Sequence, residues 1–417
     1  MTTARTLLAA TGVAVLAAGT VLLTSCGQDG SGPGEVEAPT GKLSGVVMEA
    51  TRSTPIAGAT VSAENRQATT GADGAFELAG LPIRSVLLKV SAPAYEPFEQ
   101  EISVQAGDNR RDVRLSVQTF FKYTVGADSF GVYVPPFVDS LRGVLFVIGG
   151  AGSVVDGRLI GTTLGLVRGS PVVDNEYLSS SAFFDWHTKL RAFADDQRFA
   201  LVGEHVNRAV YSGNGLNLVR VMITSVGQRV SHPELAQAPL LLIGQSWGAG
   251  RVLEYTQVDG ARVIGFIAMK YVNGSYLMPE ALAVPGYLFM GEEDEIGNNP
   301  TISRAFEVNR QAGAIWALAV EPGAGHAYVS NVDLLIEWMK TVTALRLPTN
   351  PVTGQPALLR SVDPAAGWLG NRVTFEIGDS GCYNADTDVA AWLPSEQAAH
   401  RWQAMVSAGS VTTVLGC

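Results

Sequence analysis

The sequence predicts an α/β protein: a mostly parallel sheet with helices on both faces, preceded by a small all-β sandwich. Three observations carry this. After Gln118, short apolar runs alternate with stretches of helical periodicity, the pattern of strands joined by crossover helices. Between Lys42 and Val117, apolar positions alternate with polar ones, and turn signals recur about every eight to twelve residues. The run Ala238-Pro239-Leu240-Leu241-Leu242-Ile243 is fully apolar and stops at Gly244-Gln245-Ser246-Trp247-Gly248, where a helix opens.

In chain order, residues 1–25 read as a secretory signal: Arg5, an apolar run from Leu7 to Leu23, then small residues before a break. Leu23-Thr24-Ser25-Cys26 resembles the bacterial lipoprotein box, which implies lipidation of Cys26 as the first mature residue. An uncleaved membrane anchor is the alternative, because the apolar run nearly reaches spanning length. Either way the rest of the chain is expected outside the cytoplasmic membrane, and the lipoprotein box makes it a membrane-anchored lipoprotein facing the periplasm or the cell exterior. Residues 26–40 are rich in Gly, Ser, Pro and Glu and read as a flexible tether.

The net charge is −10, and removing Arg5, the one charge among the first 25 residues, leaves −11. Nucleic acid is therefore not an expected partner, since phosphate binding needs a concentrated basic surface. The mature chain keeps two further cysteines, Cys382 and Cys417. In an oxidising compartment a pair is expected to bridge, and no Cys-x-x-Cys or His-x-x-x-His spacing argues for a metal.

Residues 41–117 form the predicted sandwich. Its strands include Leu43-Ser44-Gly45-Val46-Val47, Ala59-Thr60-Val61-Ser62-Ala63, Gly74-Ala75-Phe76-Glu77-Leu78 and Ser85-Val86-Leu87-Leu88-Lys89-Val90. The steps Pro55-Ile56-Ala57-Gly58-Ala59 and Asp73-Gly74-Ala75-Phe76 resemble the carboxypeptidase regulatory-like family. That resemblance implies a spacer module without an active site. Phe76, Tyr95 and Phe98 do not make an exposed aromatic cluster, so a spacer is preferred to a carbohydrate-binding module.

Residues 118–348 hold the predicted α/β unit. Expected strands are Gly143–Ile148, Phe199–Gly203, Pro239–Gly244, Val263–Ala268, Tyr287–Met290 and Ile315–Val320, with an antiparallel pair at Thr119–Val125 and Gly131–Val134 ahead of them. Expected helices are Ala182–Asp195, Leu216–Val230, Gly248–Tyr255, Ile302–Gln311 and Val332–Leu345. With 46 glycines among 417 residues, Gly-x-Ser-x-Gly recurs by chance. Its weight comes from the strand before it and the helix after it.

This order of elements, with a serine on the turn after a central strand, resembles the α/β-hydrolase fold. The resemblance implies a Ser-His-Asp triad in the order nucleophile, acid, histidine. Ser246 is the nucleophile. Two histidines follow it, His326 in the loop after Ile315–Val320 and His400 on a later helix. The loop after the last strand favours His326 as base. The family pattern puts the acid third after Gly291, at Asp294; Glu293, Glu292 and Asp333 are the alternatives. The oxyanion hole is expected from the N–H of Trp247 and one from Gly149-Gly150-Ala151-Gly152. That loop resembles the His-Gly-Gly-Gly turn of esterases, but Ile148 replaces the histidine, and the second donor lies between Gly150 and Ala151.

The loop between Ser153 and Ser181 is expected to overhang the pocket, with Tyr211, Tyr271, Tyr276 and Leu277 available for an apolar acyl or aryl site. Residues 349–417 read as an appended segment whose last helix is capped by Ser395 and locked by Cys382–Cys417. The expected activity is hydrolysis of a small-molecule or polymeric carboxylic ester through an acyl-enzyme, without cofactor or metal. A peptidase, amidase or thioesterase of the same fold, or a non-catalytic binding lipoprotein, are the alternatives.

Overall fold

The computed structural model describes residues 39–125, 128–149, 153–155, 158–160, 181–205, 215–274, 276–348 and 358–416. The N-terminal module contains β1 (Thr40–Glu49), β2 (Thr60–Ala63), β3 (Arg66–Thr69), β4 (Ala75–Pro82), β5 (Ser85–Ser91), β6 (Phe98–Ser103), β7 (Gly107–Arg110) and β8 (Val113–Leu115). One sheet runs β4-β1-β7 with β8 also on β1, and the other runs β3-β2-β5-β6. β5 alternates buried and exposed residues along its length, and β1 alternates buried with partly buried ones. That alternation is what a sandwich requires, with one face of each sheet turned to a shared core. Leu43, Val47, Val61, Leu78, Leu88 and Val90 fill it.

The α/β unit follows with β9 (Phe120–Val125), β10 (Asp128–Tyr133), β11 (Gly143–Ile148), a short hairpin of β12 (Ser153–Val155) and β13 (Arg158–Ile160), α1 (Ser181–Gln197) and β14 (Phe199–His205). Then come α2 (Gly215–Arg229), β15 (Leu240–Gln245), α3 (Trp247–Asp259), β16 (Val263–Met269), β17 (Gly286–Gly291), α4 (Asn299–Gln311), β18 (Trp316–Glu321) and α5 (Val332–Arg346). The eight-stranded sheet runs β18-β17-β16-β15-β11-β14-β10-β9. The six strands from β14 to β18 in that order are parallel, and β10 and β9 are antiparallel.

Every residue of β11, β15, β16 and β17 is buried. These strands are covered on both faces, which is why their sequences are continuously apolar instead of alternating. On β11, Val144, Phe146 and Ile148 face a layer that includes Val219, Met222, Val252 and Phe306, from α2, α3 and α4. Leu145 and Val147 face the opposite layer, with Trp186, Leu190, Trp338 and Met339 from α1 and α5. This is the α/β-hydrolase fold, with the crossover order of the sheet turning at β11, beside β15.

The C-terminal segment adds β19 (Trp368–Gly370), β20 (Ile377–Asp379), β21 (Ala391–Leu393), α6 (Glu396–Val406) and β22 (Val414–Leu415), in a sheet ordered β21-β19-β20-β22. Ser395 caps α6, its hydroxyl accepting from Ala398 N at 3.2 Å. Trp402 of α6 is fully buried and donates to the Leu318 carbonyl of edge strand β18 at 2.9 Å. The segment therefore covers flank and edge of the eight-stranded sheet, where open strand edges otherwise invite pairing.

Candidate active site

β15 ends at Gln245, and Ser246 turns the chain into α3 with φ 54° and ψ −126°. A residue with a side chain pays about 1–3 kcal/mol for such a conformation, so its surroundings must impose it. Ser246 N donates to Met269 O at 2.9 Å, and Ser246 O accepts from Ala249 N at 2.9 Å. The flanking glycines permit the close approach. A Cβ on Gly244 would sit 2.3 Å from Gly248 O, and one on Gly248 would sit 2.1 Å from Ile148 O. The Gly-x-Ser-x-Gly spacing thus reflects two backbone contacts, one inside the turn and one to β11.

His326 lies in the loop between β18 and α5. Its Nε2 is 2.8 Å from Ser246 Oγ, and its Nδ1 is 2.9 Å from Asp294 Oδ2 and 3.0 Å from Oδ1. The Asp294 side chain is completely buried, and that of His326 is 15% exposed. Asp294 stands three residues beyond the end of β17, and its Oδ1 accepts from Ile296 N at 3.0 Å and Gly297 N at 2.8 Å. A carboxylate only accepts, so the imidazole proton facing it belongs on Nδ1, which leaves Nε2 free to accept from the serine hydroxyl.

The histidine loop is fastened from several sides. Gln245, beside Ser246, donates to His326 O at 3.3 Å. Glu293 N donates to Ala324 O at 2.9 Å, and Glu292 Oε2 accepts from Gly323 N at 2.8 Å. Trp186 of α1 donates to Val329 O at 2.9 Å and meets the Tyr328 ring edge-on at 5.3 Å. Burial pushes the Tyr328 phenol far above its usual range, so the ring stays neutral where it packs against Trp186.

Of the alternatives for base and acid, none reaches the serine cluster. His400 is half-exposed on α6, 3.9 Å from Glu396. Asp333 pairs with Lys189 at 2.8 Å. Glu292 and Glu293 are exposed on the turn that buries Asp294. Trp247 is the first residue of α3 and stacks on Tyr271 at 5.8 Å, with the rings 20° apart. The described Gly149 lies against α3, its carbonyl 2.9 Å from where a Gly248 Cβ would sit. Gly150 and Ala151, Tyr211, Cys26 and Cys417 lie outside the described residues, as does most of the loop expected to overhang the pocket; its first part is the β12–β13 hairpin.

Sequence reasoning did not pick out Gln245, Trp186, Lys270, Glu321 or Ser330. The one available signal was a charge directly after an apolar strand, as at Lys270 after β16, and it does not name a partner. Among the described residues, no group of three or more His, Cys, Asp or Glu side chains is placed to hold a metal ion. Nor, among them, is any helix long and apolar enough to cross a membrane.

Residues 42–118 match the family model of the carboxypeptidase regulatory-like domain. No curated protein matches the chain. Among solved structures, the chain is similar to a thermostable esterase at 9% identity, over 73% of this chain and 96% of that one, with a TM-score of 0.34. It is similar to LpqC, a poly(3-hydroxybutyrate) depolymerase from Bordetella parapertussis, at 14% identity over 54% and 88%, with a TM-score of 0.34. A ferulic acid esterase is similar at 12% identity over 54% and 97%, with a TM-score of 0.38. A Bacteroides uniformis protein described as carbohydrate binding is matched at 12% identity over 23% of this chain, with a TM-score of 0.18; the match spans about half of its length, 52%.

Proposed function

We propose that this chain is an exported, lipid-anchored serine hydrolase that cleaves carboxylic esters. The observation that carries the reading is the continuous relay from Ser246 Oγ to His326 Nε2 at 2.8 Å and from His326 Nδ1 to Asp294 at 2.9 Å, mounted on a strained turn. A serine hydroxyl is a weak nucleophile at neutral pH and needs a base within hydrogen-bond reach. His326 takes the proton as Ser246 Oγ attacks the ester carbonyl, and Asp294 stabilises the imidazolium. The tetrahedral oxyanion is held by the N–H of Trp247 and by one from Gly150 or Ala151. His326 then gives the proton to the departing alcohol, leaving an acyl-enzyme. A water attacks it by the same route in reverse, releasing the acid and restoring Ser246.

The stacked pair Trp247–Tyr271, with Trp247 45% exposed beside the nucleophile, supports an apolar acyl or aryl group on the substrate. Cys26 is the proposed lipid attachment site, and the 41–117 module a spacer between membrane and catalytic unit. Cys382 is proposed to pair with Cys417, the only other cysteine that a mature chain beginning at Cys26 would keep beyond Cys26 itself. Fluorophosphonate labelling and p-nitrophenyl butyrate hydrolysis test the reading. Both are expected for the mature chain and both are expected to vanish in Ser246→Ala; a mature chain inert to both assays overturns it. Cys26→Ser is expected to release the protein from the membrane fraction.

A further inference from the structure

Lys270 is fully buried although it carries a charge, and it sits where all three catalytic loops meet the sheet. β16 ends at Met269, whose carbonyl holds the N–H of Ser246. Lys270 follows, turning the chain out of the sheet at φ 64° and donating its N–H to Phe289 O at 2.8 Å. Its own carbonyl lies 2.3 Å from where a Cβ on Gly297 would sit, and Gly297 N is bound by Asp294. Its ammonium reaches Glu321 Oε2 at 3.0 Å. The other carboxylate oxygen, Oε1, accepts from Ser330 N at 2.8 Å and Ser330 Oγ at 2.6 Å.

Glu321 closes β18, and Ser330 stands at the far end of the loop that carries His326. One carboxylate therefore joins both ends of that loop, and one ammonium ties it to the strand beside the nucleophile. A buried ion pair is a poor device for stability alone, because an apolar pair of like volume often serves as well or better. An apolar pair cannot accept two directed hydrogen bonds from Ser330. We propose that Lys270 and Glu321 are positioning residues: Lys270 fixes the Glu321 carboxylate, which clamps Ser330 and so sets His326 against Ser246. This rests on the serine-hydrolase reading above.

The test uses the mature chain with fluorophosphonate labelling rates, steady-state p-nitrophenyl butyrate kinetics and thermal melting. Wild type that reacts with neither reagent refutes the hydrolase reading; with active wild type, the variants bear on the pair alone. A displacement of about 1 Å at a catalytic base lowers turnover up to about 100-fold. Lys270→Met is expected to lower kcat and the labelling rate by about 10- to 100-fold, with KM within about twofold, at temperatures below melting. The double variant K270M/E321M leaves no unpaired charge and is expected to melt near wild type, yet to stay at least about tenfold down in kcat. Glu321→Gln keeps an acceptor for Ser330 and is expected to retain more kcat than Glu321→Met. Ser330→Ala removes only the hydroxyl contact and covers the case in which Lys270→Met does not fold; a loss of about 3- to 10-fold in kcat is expected. Wild-type kcat in K270M/E321M or in Ser330→Ala overturns the proposal.

Discussion

Gly248→Ala tests whether the turn at Ser246 depends on backbone contact between α3 and β11. The new Cβ would lie 2.1 Å from Ile148 O and 2.9 Å from Gly149 O. A carbon approaches a carbonyl oxygen comfortably at about 3.3 Å, so the two backbones must part by about 1.2 Å. Neither partner is a side chain that can rotate away; the cost falls on the end of β11 or the start of α3. Overpacking of this kind costs about 3 kcal/mol, which for a unit of this size lowers Tm by about 6–12 °C. A shift of about 1 Å at Ser246 or Trp247 also lowers kcat by about 100-fold. Gly325→Ala is the control: nothing lies within 4 Å of its Cβ position, although it neighbours His326. Differential scanning calorimetry and p-nitrophenyl butyrate kinetics on both variants decide the matter. If Gly248→Ala melts within 1 °C of wild type, on the order of a few tenths of a kcal/mol, and keeps its kcat, the account of the turn is wrong.

Three further outcomes are expected. Asp294→Asn is expected to reduce kcat by about 10³- to 10⁴-fold with little change in KM, because the amide no longer holds the Nδ1–H tautomer; steady-state kinetics at saturating ester checks this. Trp402→Ala removes a fully buried indole and its bond to Leu318 O, and a loss of about 3–5 kcal/mol in urea unfolding is expected, starting at the β18 edge. Tyr133, whose hydroxyl donates to Asp195 Oδ1 at 2.6 Å, has its phenol pushed up to about 12, by burial first and by that hydrogen bond second. The folded state holds this proton more tightly than the unfolded one, so the stabilisation is complete below pH 10 and is lost as pH rises towards 12. Tyr133→Phe is therefore expected to flatten the fall in Tm across that alkaline window.

Much of the sheet was legible because its signals are local. Strands such as Leu240–Gln245 and Val263–Met269 are apolar throughout since both faces are covered, and the helices between them keep a period near 3.6. The Gly244 and Gly248 positions announced the turn because no other residue fits those contacts. The β12–β13 hairpin was read as loop; three-residue strands are too short to show a period. The acidic run 292–295 shows the limit well. All four residues look alike in sequence, yet the turn after β17 buries only Asp294 and leaves Glu292, Glu293 and Glu295 exposed.

The sequence by itself determined the order of elements, the apolar core strands, the serine turn and the two loops from which a base and an acid can come. Backbone propensity and hydrophobic period act over a few residues, so a linear reading reaches them. Only the tertiary structure decided which side chains meet: His326 on Ser246, Asp294 beneath it, and Lys270 on Glu321 across 51 positions of chain. Those pairings depend on how the register of parallel strands aligns their ends, and register is set by packing across the whole sheet.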